Sequence, residues 1–170
     1  MTRAGPALAL AALLAGPLAC GPWGPLGVVP GGPLAGEEEP GPVSDWSFSD
    51  DHALVAVETR GGWLRHSVTV LCVQVDGTLH LMARHAPRKR WVQNLLADPR
   101  VRLEIGGRIY RGRATRVTDP LPSAAVARAF LRKYAGIDAE TVRALGGPPA
   151  PGDTRAEVWM FRVDPEEVPS

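Results

Sequence analysis

The sequence RHAPRKRWVQNLLADPRVRLEIGGRIYRGRATRVTD at residues 84–119 predicts a short helix followed by a β-hairpin. Pro87 suits the first turn of a helix, because the N–H group that it lacks would have no partner there. Trp91 and Leu95 lie four residues apart and therefore share one helix face. Asp98-Pro99 ends the helix, since a residue before proline is restricted away from helical geometry.

The hairpin follows from the next residues. Val101, Leu103 and Ile105 alternate with charged residues, which is typical of a strand with one buried and one solvated face. Gly106-Gly107 can adopt the positive φ angles of a two-residue turn. We therefore expect a strand at residues 100–105 and a returning strand from Arg108 to about Val117.

The same stretch is strongly basic, with only two acids, Asp98 and Glu104. Basic residues around a helix start favour an anion-binding site, because the helix N-terminus adds unpaired N–H groups and a partial positive charge. A solvated basic face is the alternative interpretation. The basic residues are Arg84, Arg88, Lys89, Arg90, Arg100, Arg102, Arg108, Arg111, Arg113 and Arg116.

The pattern Trp91-x-x-Asn94-Leu95-x-x-x-Pro99-x-Val101, followed by Gly106-Gly107 and Ala114, resembles the deazaflavin (F420)-dependent nitroreductase and quinone reductase family. That family is related to the FMN-binding, pyridoxamine 5'-phosphate oxidase-like proteins and shares their split β-barrel. The resemblance covers residues 52–119 well and the rest of the chain more loosely. It implies a redox enzyme that binds FMN or the deazaflavin coenzyme F420.

The rest of the chain supplies enough strands for such a barrel. Segments rich in strand-forming residues are separated by turn signals such as Asp76-Gly77. We therefore predict a mainly β domain, a six-stranded antiparallel split β-barrel with short helices, whose closure covers the strand edges. The predicted strands are Ala53–Thr59, Ser67–Val75, Thr78–Ala83, 100–105, 108–117 and Ala156–Val163.

Two helices are predicted between the fifth and sixth strands. The first, Pro122–Tyr134, carries an apolar stripe that is expected to pack across the barrel. A helical turn is expected at Ala139–Leu145. Gly146–Asp153 reads as a loop that either forms part of a substrate mouth or simply connects two elements. The stripe consists of Val126, Ala127, Phe130, Leu131 and Tyr134.

The N-terminal residues read as a targeting segment. Residues 1–19 contain one charge, Arg3, and an apolar run that is too short to span a membrane, which is typical of a signal peptide. Leu18-Ala19-Cys20 resembles a bacterial lipobox, so Cys20 is a candidate lipidation site and membrane tether. We expect an exported protein, periplasmic or membrane-anchored. The alternatives are an ordinary signal peptide, or a cytoplasmic protein whose start is misassigned.

The remaining boundaries follow from composition. Residues 20–44 are rich in Gly and Pro and are predicted to form a disordered linker. The barrel domain is placed at residues 45–165 and a short tail at residues 166–170. A chain of this length is expected to form one core.

Composition argues against several classes of function. Lys and Arg number 19 against 18 Asp and Glu, which argues against a general nucleic-acid binder. The four histidines are scattered without a serine or carboxylate motif, and no Cys/His spacing typical of a metal site occurs. Cys72 lies in an apolar strand, where we expect it to be buried and not bonded to Cys20. The residues therefore identify no catalytic side chain and no metal site.

The resemblance also implies where a cofactor lies, beside the third strand and the following helix, with its phosphate-bearing tail on basic side chains. Arginine suits such a site because its planar fork can hold two phosphate oxygens. The family's usual basic first turn is replaced by residues 61–67, and the candidate substitutes are Arg60 or Arg65 for the basic group and Ser67 for the hydroxyl. Trp91 reads as a core anchor or a stacking residue, and Asn94 as a cofactor contact or a backbone cap. The candidate cofactor-binding residues are Arg65, Ser67, Arg84, His85, Arg88, Lys89, Arg90, Trp91 and Asn94.

Two functions remain open from the sequence. The first is an oxidoreductase that passes hydride from FMN or F420 to a quinone, a nitro compound or a similar small planar acceptor. The second is a non-catalytic, exported or lipid-anchored binding module that has lost its cofactor, which the altered 61–67 turn favours. Convergence of Arg88, Lys89 and Arg90 on one cleft beside Arg65 would favour the enzyme. The resemblance further implies a homodimer.

Overall fold

The computed structural model describes residues 30–144 and 157–166 of the chain, which form a β-barrel with short helices. Two short 3-10 turns lie at Ser47–Asp51 and Ala86–Arg88. The strands are β1 (Glu37–Glu38), β2 (Leu54–Gly61), β3 (Leu64–Val75), β4 (Thr78–Arg84), β5 (Arg100–Ile105), β6 (Arg108–Val117) and β7 (Val158–Pro165). The helices are α1 (Arg90–Ala97), α2 (Pro120–Lys133) and α3 (Ala139–Ala144).

The strands form one sheet in the order β1-β6-β5-β2-β3-β4-β7. An additional pairing of β6 with β7 closes strands β2 to β7 into a six-stranded antiparallel barrel. The two-residue strand β1 lies outside the barrel, parallel to β6. The predicted mainly β, six-stranded antiparallel barrel is therefore confirmed.

Tight turns set the register of the two predicted hairpins. Asp76 and Gly77 have φ angles of 51° and 75°, and Gly106 and Gly107 have 60° and 85°. Positive φ at both central residues gives a turn whose twist matches that of the flanking strands. These turns fix the pairings Val75↔Thr78 and Ile105↔Arg108.

The barrel is split between β3 and β4. These strands pair only from Cys72↔Leu81 to Val75↔Thr78. Beyond that point β3 continues along β2, whereas the end of β4 continues along β7. The divergence leaves a gap between the first half of β3 and the last residues of β4.

The barrel interior holds the main core. Side chains at alternate strand positions fill it, as expected for strands with one inward face. Helix α1 covers one end of the barrel and adds Trp91, Val92 and Leu95 to the same core. The gap between β3 and β4 therefore lies beside the start of α1.

Helix α2 packs outside the barrel, on β3 and β4. Phe130 and Tyr134 contact an outer cluster that includes Leu71 and Met82. The predicted stripe is wrong at Leu131, which is 64% exposed, because the packed face runs through Ala129 instead. The helix also begins at Pro120, two residues before the predicted start.

Residues 30–39, here called the strap, cross the outer face of the barrel. Gly31 and Ser67 exchange two backbone hydrogen bonds of 2.9 Å, and Leu34 is buried against Ala56 and Ile109. The predicted disordered linker at residues 20–44 therefore differs from the structure over residues 30–44, because contacts distant in sequence order a Gly/Pro-rich segment. Residues 20–29, the signal segment 1–19 and the loop Gly146–Asp153 lie outside the described residues.

Candidate functional site

The gap between β3 and β4 forms a cleft of about 200 Å³, here called the split cleft. About half of its wall is apolar, and basic side chains from the end of the 3-10 turn and the start of α1 line it as well. The lining residues are Pro30, His66, Val68, Thr69, Val70, Met82, Ala83, Arg88, Lys89, Arg90, Trp91 and Ala144.

Three consecutive cations border the split cleft. Arg88, Lys89 and Arg90 are exposed and all three line it. Helix α1 begins at Arg90, and its N-cap residue Lys89 provides no side-chain hydrogen bond. The N–H groups of the first helical turn have no acceptor within the helix and carry a partial positive charge. This corner of the cleft therefore attracts an anion through both side chains and backbone.

His66 faces the split cleft from β3. Its Nδ1 atom is buried and has no hydrogen-bond partner among the described residues. Burial lowers the pKa of His66, the positive charge of Arg90 lowers it further, and the carbonyl of His66 itself acts in the opposite direction. The imidazole is therefore neutral at pH 7. No sequence motif singles out His66, although it lies two and four residues before Val68 and Val70 and therefore shares their strand face.

The backbone of β3 adds polar groups to the cleft. Ser67 uses its N–H and carbonyl to pair with Gly31, on the side of the strand away from β2. Backbone groups alternate in direction along a strand, so those of Thr69 point to the same side as those of Ser67. Because Thr69 lines the cleft, its backbone donor and acceptor are directed toward the cleft.

Trp91 has a structural role as well as a place in the cleft wall. Its side chain is 4% exposed, and its ring centroid lies 5.7 Å from that of Phe161 in the barrel core. The core-anchor interpretation of Trp91 thus matches its position.

Asn94 lies away from the split cleft. Its Nδ2 donates a hydrogen bond of 3.1 Å to Thr59 Oγ1, and its amide contacts the backbone of Gly61 so closely that an added Cβ would lie 2.8 Å from Oδ1. Asn94 therefore fastens α1 to β2.

Arg65 and Ser67 lie on the outer face of the barrel, away from the split cleft. Arg65 donates a 2.9 Å hydrogen bond to the buried carboxylate of Glu58, and Ser67 Oγ donates a 2.7 Å hydrogen bond to the carbonyl of Gly32. Strand β3 begins at Leu64, three residues before the predicted start, and strand alternation turns residues 65 and 67 outward and His66 inward. The expected grouping of Arg65 with the other cations is therefore not observed.

The other candidates lie near the cleft or beyond the described residues. Arg84 ends β4, and His85 has a φ angle of 55° at the start of the 3-10 turn. Both are half-buried and neither lines the split cleft. Cys20 lies outside the described residues.

A second cavity of about 260 Å³ lies on the outer face, between the strap and strands β2, β5 and β6. At its base Glu58 is 3% exposed and accepts hydrogen bonds of 2.8 Å from Arg102 and 2.6 Å from the Leu34 N–H. Arg102 and Arg111 also bind Glu38 of the strap. Four of the five arginines that line this cavity, all except Arg60, form ion pairs with carboxylates of the described residues, so most of its positive charge is already neutralised.

The described residues, 30–144 and 157–166, lack two further kinds of feature. That part of the chain contains no group of three or more His, Cys, Asp or Glu residues able to hold a metal ion. It also contains no helix of the length and apolarity that crossing a bilayer requires.

Comparison with known proteins identifies relatives of the fold and of the sequence. The chain resembles the heme storage protein HutZ from Vibrio cholerae, with 15% identity over 71% of this chain and 87% of that chain and a TM-score of 0.51. It also resembles the F420-H2 dependent reductase FDR-A (17% identity, 66% and 95% coverage, TM-score 0.49) and an FAD-binding protein from Mesorhizobium loti (13% identity, 69% and 82% coverage, TM-score 0.47). No curated protein matches the chain. The family model of F420H(2)-dependent quinone reductases matches residues 43–146.

Proposed function

The chain belongs to the F420H(2)-dependent quinone reductase family of oxidoreductases, and from this premise we propose that it transfers hydride from reduced F420 to a small planar acceptor such as a quinone. One observation carries the proposal: the split cleft combines apolar walls with three cations at the uncapped start of α1. FMN is the alternative cofactor, and the family match favours the deazaflavin.

The residues of the split cleft fit such a coenzyme. The first-turn N–H groups of α1 and the side chains of Arg88, Lys89 and Arg90 suit a phosphate group. The apolar side chains of Val68, Val70 and Met82 suit a planar ring, and the unpartnered Nδ1 of His66 offers it a polar contact.

The volume of the cleft limits what it encloses. At about 200 Å³ it is smaller than the roughly 300–1,000 Å³ of most small-molecule sites. A whole coenzyme would therefore extend from the cleft over the exposed basic residues. We propose that a second copy of the chain covers the extended part, in keeping with the homodimer that the resemblance implies, and light scattering of the purified protein tests this.

Bound F420 would supply the hydride chemistry, and the protein supplies position and environment. Arg88, Lys89 and Arg90 hold the charged tail at the mouth of the cleft. The apolar walls exclude water from the ring, which strengthens the remaining polar contacts. No described side chain is required to form a covalent bond.

A binding titration tests this proposal. Purified protein is titrated with F420 and, separately, with FMN, and coenzyme fluorescence is followed. We expect saturable binding of F420 that weakens at least about 10-fold when Arg88, Lys89 and Arg90 are replaced by alanine, since each charged contact contributes about 1 kcal/mol or more. Tighter binding of FMN than of F420 would identify FMN as the coenzyme and leave the proposed binding site unchanged.

A matched control removes the same charge elsewhere. Replacement of Arg113, Arg128 and Arg132 by alanine also deletes three exposed arginines, none of which lines the split cleft. This variant should bind F420 as the wild type does. Equal weakening in both variants would mean that net charge, not the cleft, determines binding. Absence of binding by the folded wild type would leave the cofactor-free binding module, which the outward positions of Arg65 and Ser67 favour.

We also propose that the chain is exported and lipidated at Cys20. The proposal is supported by the apolar run at residues 7–14 and by Leu18-Ala19-Cys20. Mass spectrometry of the protein from a bacterial host should show acyl chains on Cys20. Recovery of unmodified, full-length protein in the cytoplasm would contradict it.

A further inference from the structure

The strongest unassigned feature of the molecule is the buried, unpartnered Nδ1 atom of His66. His66 lines the split cleft, as do the apolar side chains of Val68, Val70 and Met82. A buried polar atom without a hydrogen bond is costly, and such atoms in native proteins usually have a partner that completes the site. The position of Nδ1 therefore points to a ligand atom.

The protonation state of His66 defines the chemistry of that atom. Because the imidazole is neutral at pH 7, one ring nitrogen donates and the other accepts a hydrogen bond. In the tautomer that carries its hydrogen on Nδ1, this atom is a hydrogen-bond donor toward the cleft.

A neutral donor in an apolar wall suits a neutral acceptor. The phosphate of a ligand is better matched by the exposed cations at the mouth of the cleft, Arg88 and Lys89. A ring carbonyl oxygen, in contrast, is compatible with the apolar surroundings of His66. Both a deazaflavin ring and a quinone carry such oxygens.

We propose that Nδ1–H of His66 donates a hydrogen bond to a ring carbonyl oxygen of the planar ligand in the split cleft. This inference rests on the proposed function and names the residue that orients the ring. The carbonyl belongs either to the coenzyme or to the acceptor. His66 acts by binding and orientation, and takes no part in covalent chemistry.

Two variants of His66 test the inference. His66→Asn keeps an N–H donor close to the position of Nδ1, whereas His66→Leu keeps the bulk and removes the donor. Dissociation constants are measured for F420 by its fluorescence and, in a separate arm, for menadione by quenching of tryptophan fluorescence. We expect His66→Leu to weaken binding by about 10-fold for the ligand that supplies the carbonyl, and His66→Asn to bind within about threefold of wild type. The ligand whose binding weakens in His66→Leu is the one that supplies the carbonyl oxygen.

A control and an independent signal complete the experiment. His80→Asn alters another buried histidine, which lies outside the split cleft and contacts the carbonyl of Thr78 at 3.0 Å. It should leave both dissociation constants unchanged. In wild-type protein, the nitrogen NMR signal of His66 Nδ1, assigned by its loss in His66→Asn, should shift when the same ligand is added. This signal decides the inference even if His66→Leu does not fold.

The outcomes separate the inference from the proposed function. Unchanged affinity of folded His66→Leu for both ligands, or an unshifted Nδ1 signal on saturation, would overturn the role of His66 while the proposed function stands. Wild-type protein that binds neither F420 nor menadione would overturn both.

Discussion

Tyr134 shows how one side chain joins a helix to the barrel. Its hydroxyl accepts a hydrogen bond of 3.0 Å from the Cys72 N–H and lies 2.6 Å from the carbonyl oxygens of Cys72 and Ala53. The hydroxyl takes the place of a backbone hydrogen-bond partner for Cys72, because β2 begins at this point and offers none. Burial raises the pKa of Tyr134, so the hydroxyl keeps its hydrogen at all ordinary pH values.

We predict that Tyr134→Phe lowers the free energy of unfolding by about 1–3 kcal/mol, because it leaves buried backbone groups without a partner. Tyr110→Phe is the matched control, since the hydroxyl of Tyr110 makes no hydrogen bond among the described residues and its ring stays packed on Phe48. Urea denaturation of both variants measures the difference. Equal, small changes in the two would show that the Tyr134 hydroxyl does not contribute.

Residue-scale chemistry was only partly predictable from the sequence. The basic cluster Arg88–Arg90 was found because local composition and a helix start coincide there. Arg65 and Ser67 were selected from the resemblance alone, and in the structure their side chains bind Glu58 and the Gly32 carbonyl on the outer face. In a strand, the side chains alternate between faces, so His66, which lies between them, faces the cleft instead.

At the scale of elements, the strap depends on ion pairs with the barrel. Glu38 binds Arg102 at 2.7 Å and also binds Arg111. Partial burial raises the pKa of Glu38, but hydrogen bonds from Arg111 and Arg102 lower it by more, and the net pKa is below the usual value. The carboxylate is thus charged at neutral pH and holds the strap on β5 and β6.

We predict that Glu38→Gln loosens the strap without unfolding the barrel. Amide hydrogen exchange should become faster at residues 31–39, whereas the amides of β5 and β6 that pair with each other should remain protected. Glu140→Gln is the control, because Glu140 is an exposed carboxylate on α3 that makes no ion pair with the described residues of the strap. Faster exchange throughout the barrel would instead indicate that strap and barrel unfold together.

The elements themselves differed in how well the sequence predicted them. Hairpin turns such as Asp76-Gly77 are local signals, and both predicted turns are present. The strap is held by Gly31, Leu34 and Glu38, whose partners lie far away in the sequence. Local composition gave no sign of those contacts and therefore indicated a disordered linker.

For the whole molecule, buried histidines make stability depend on pH. Burial lowers the pKa of His80, the charge of Arg162 on β7 lowers it further, and the Thr78 carbonyl and Asp164 act in the opposite direction. The pKa of His66 is also lowered. In the unfolded chain both would titrate near about 6.5. Below that pH the unfolded state binds protons that the folded state does not, and the folded state loses stability.

We predict that the free energy of unfolding falls between pH 7.5 and pH 5.5, by at most about 1.4 kcal/mol per pH unit for each histidine. The lowered pKa values of Asp98, beside Arg100, and of Glu38 affect stability only at lower pH, near about 4 and below. His80→Asn should reduce the pH dependence, which urea denaturation at the two pH values measures. If the free energy of unfolding of His80→Asn depends on pH as steeply as that of the wild type, His80 has the same pKa in the folded and unfolded states.

The measurement that tests the central claim most directly is amide hydrogen exchange with and without saturating F420. It locates the coenzyme, which a binding constant alone cannot do. The split cleft predicts slower exchange at residues 66–70 and 82–92, with no change around Arg102 and Arg111 in the outer cavity. Slower exchange confined to the outer cavity, or none at all at saturation, would contradict a cofactor site in the split of the barrel.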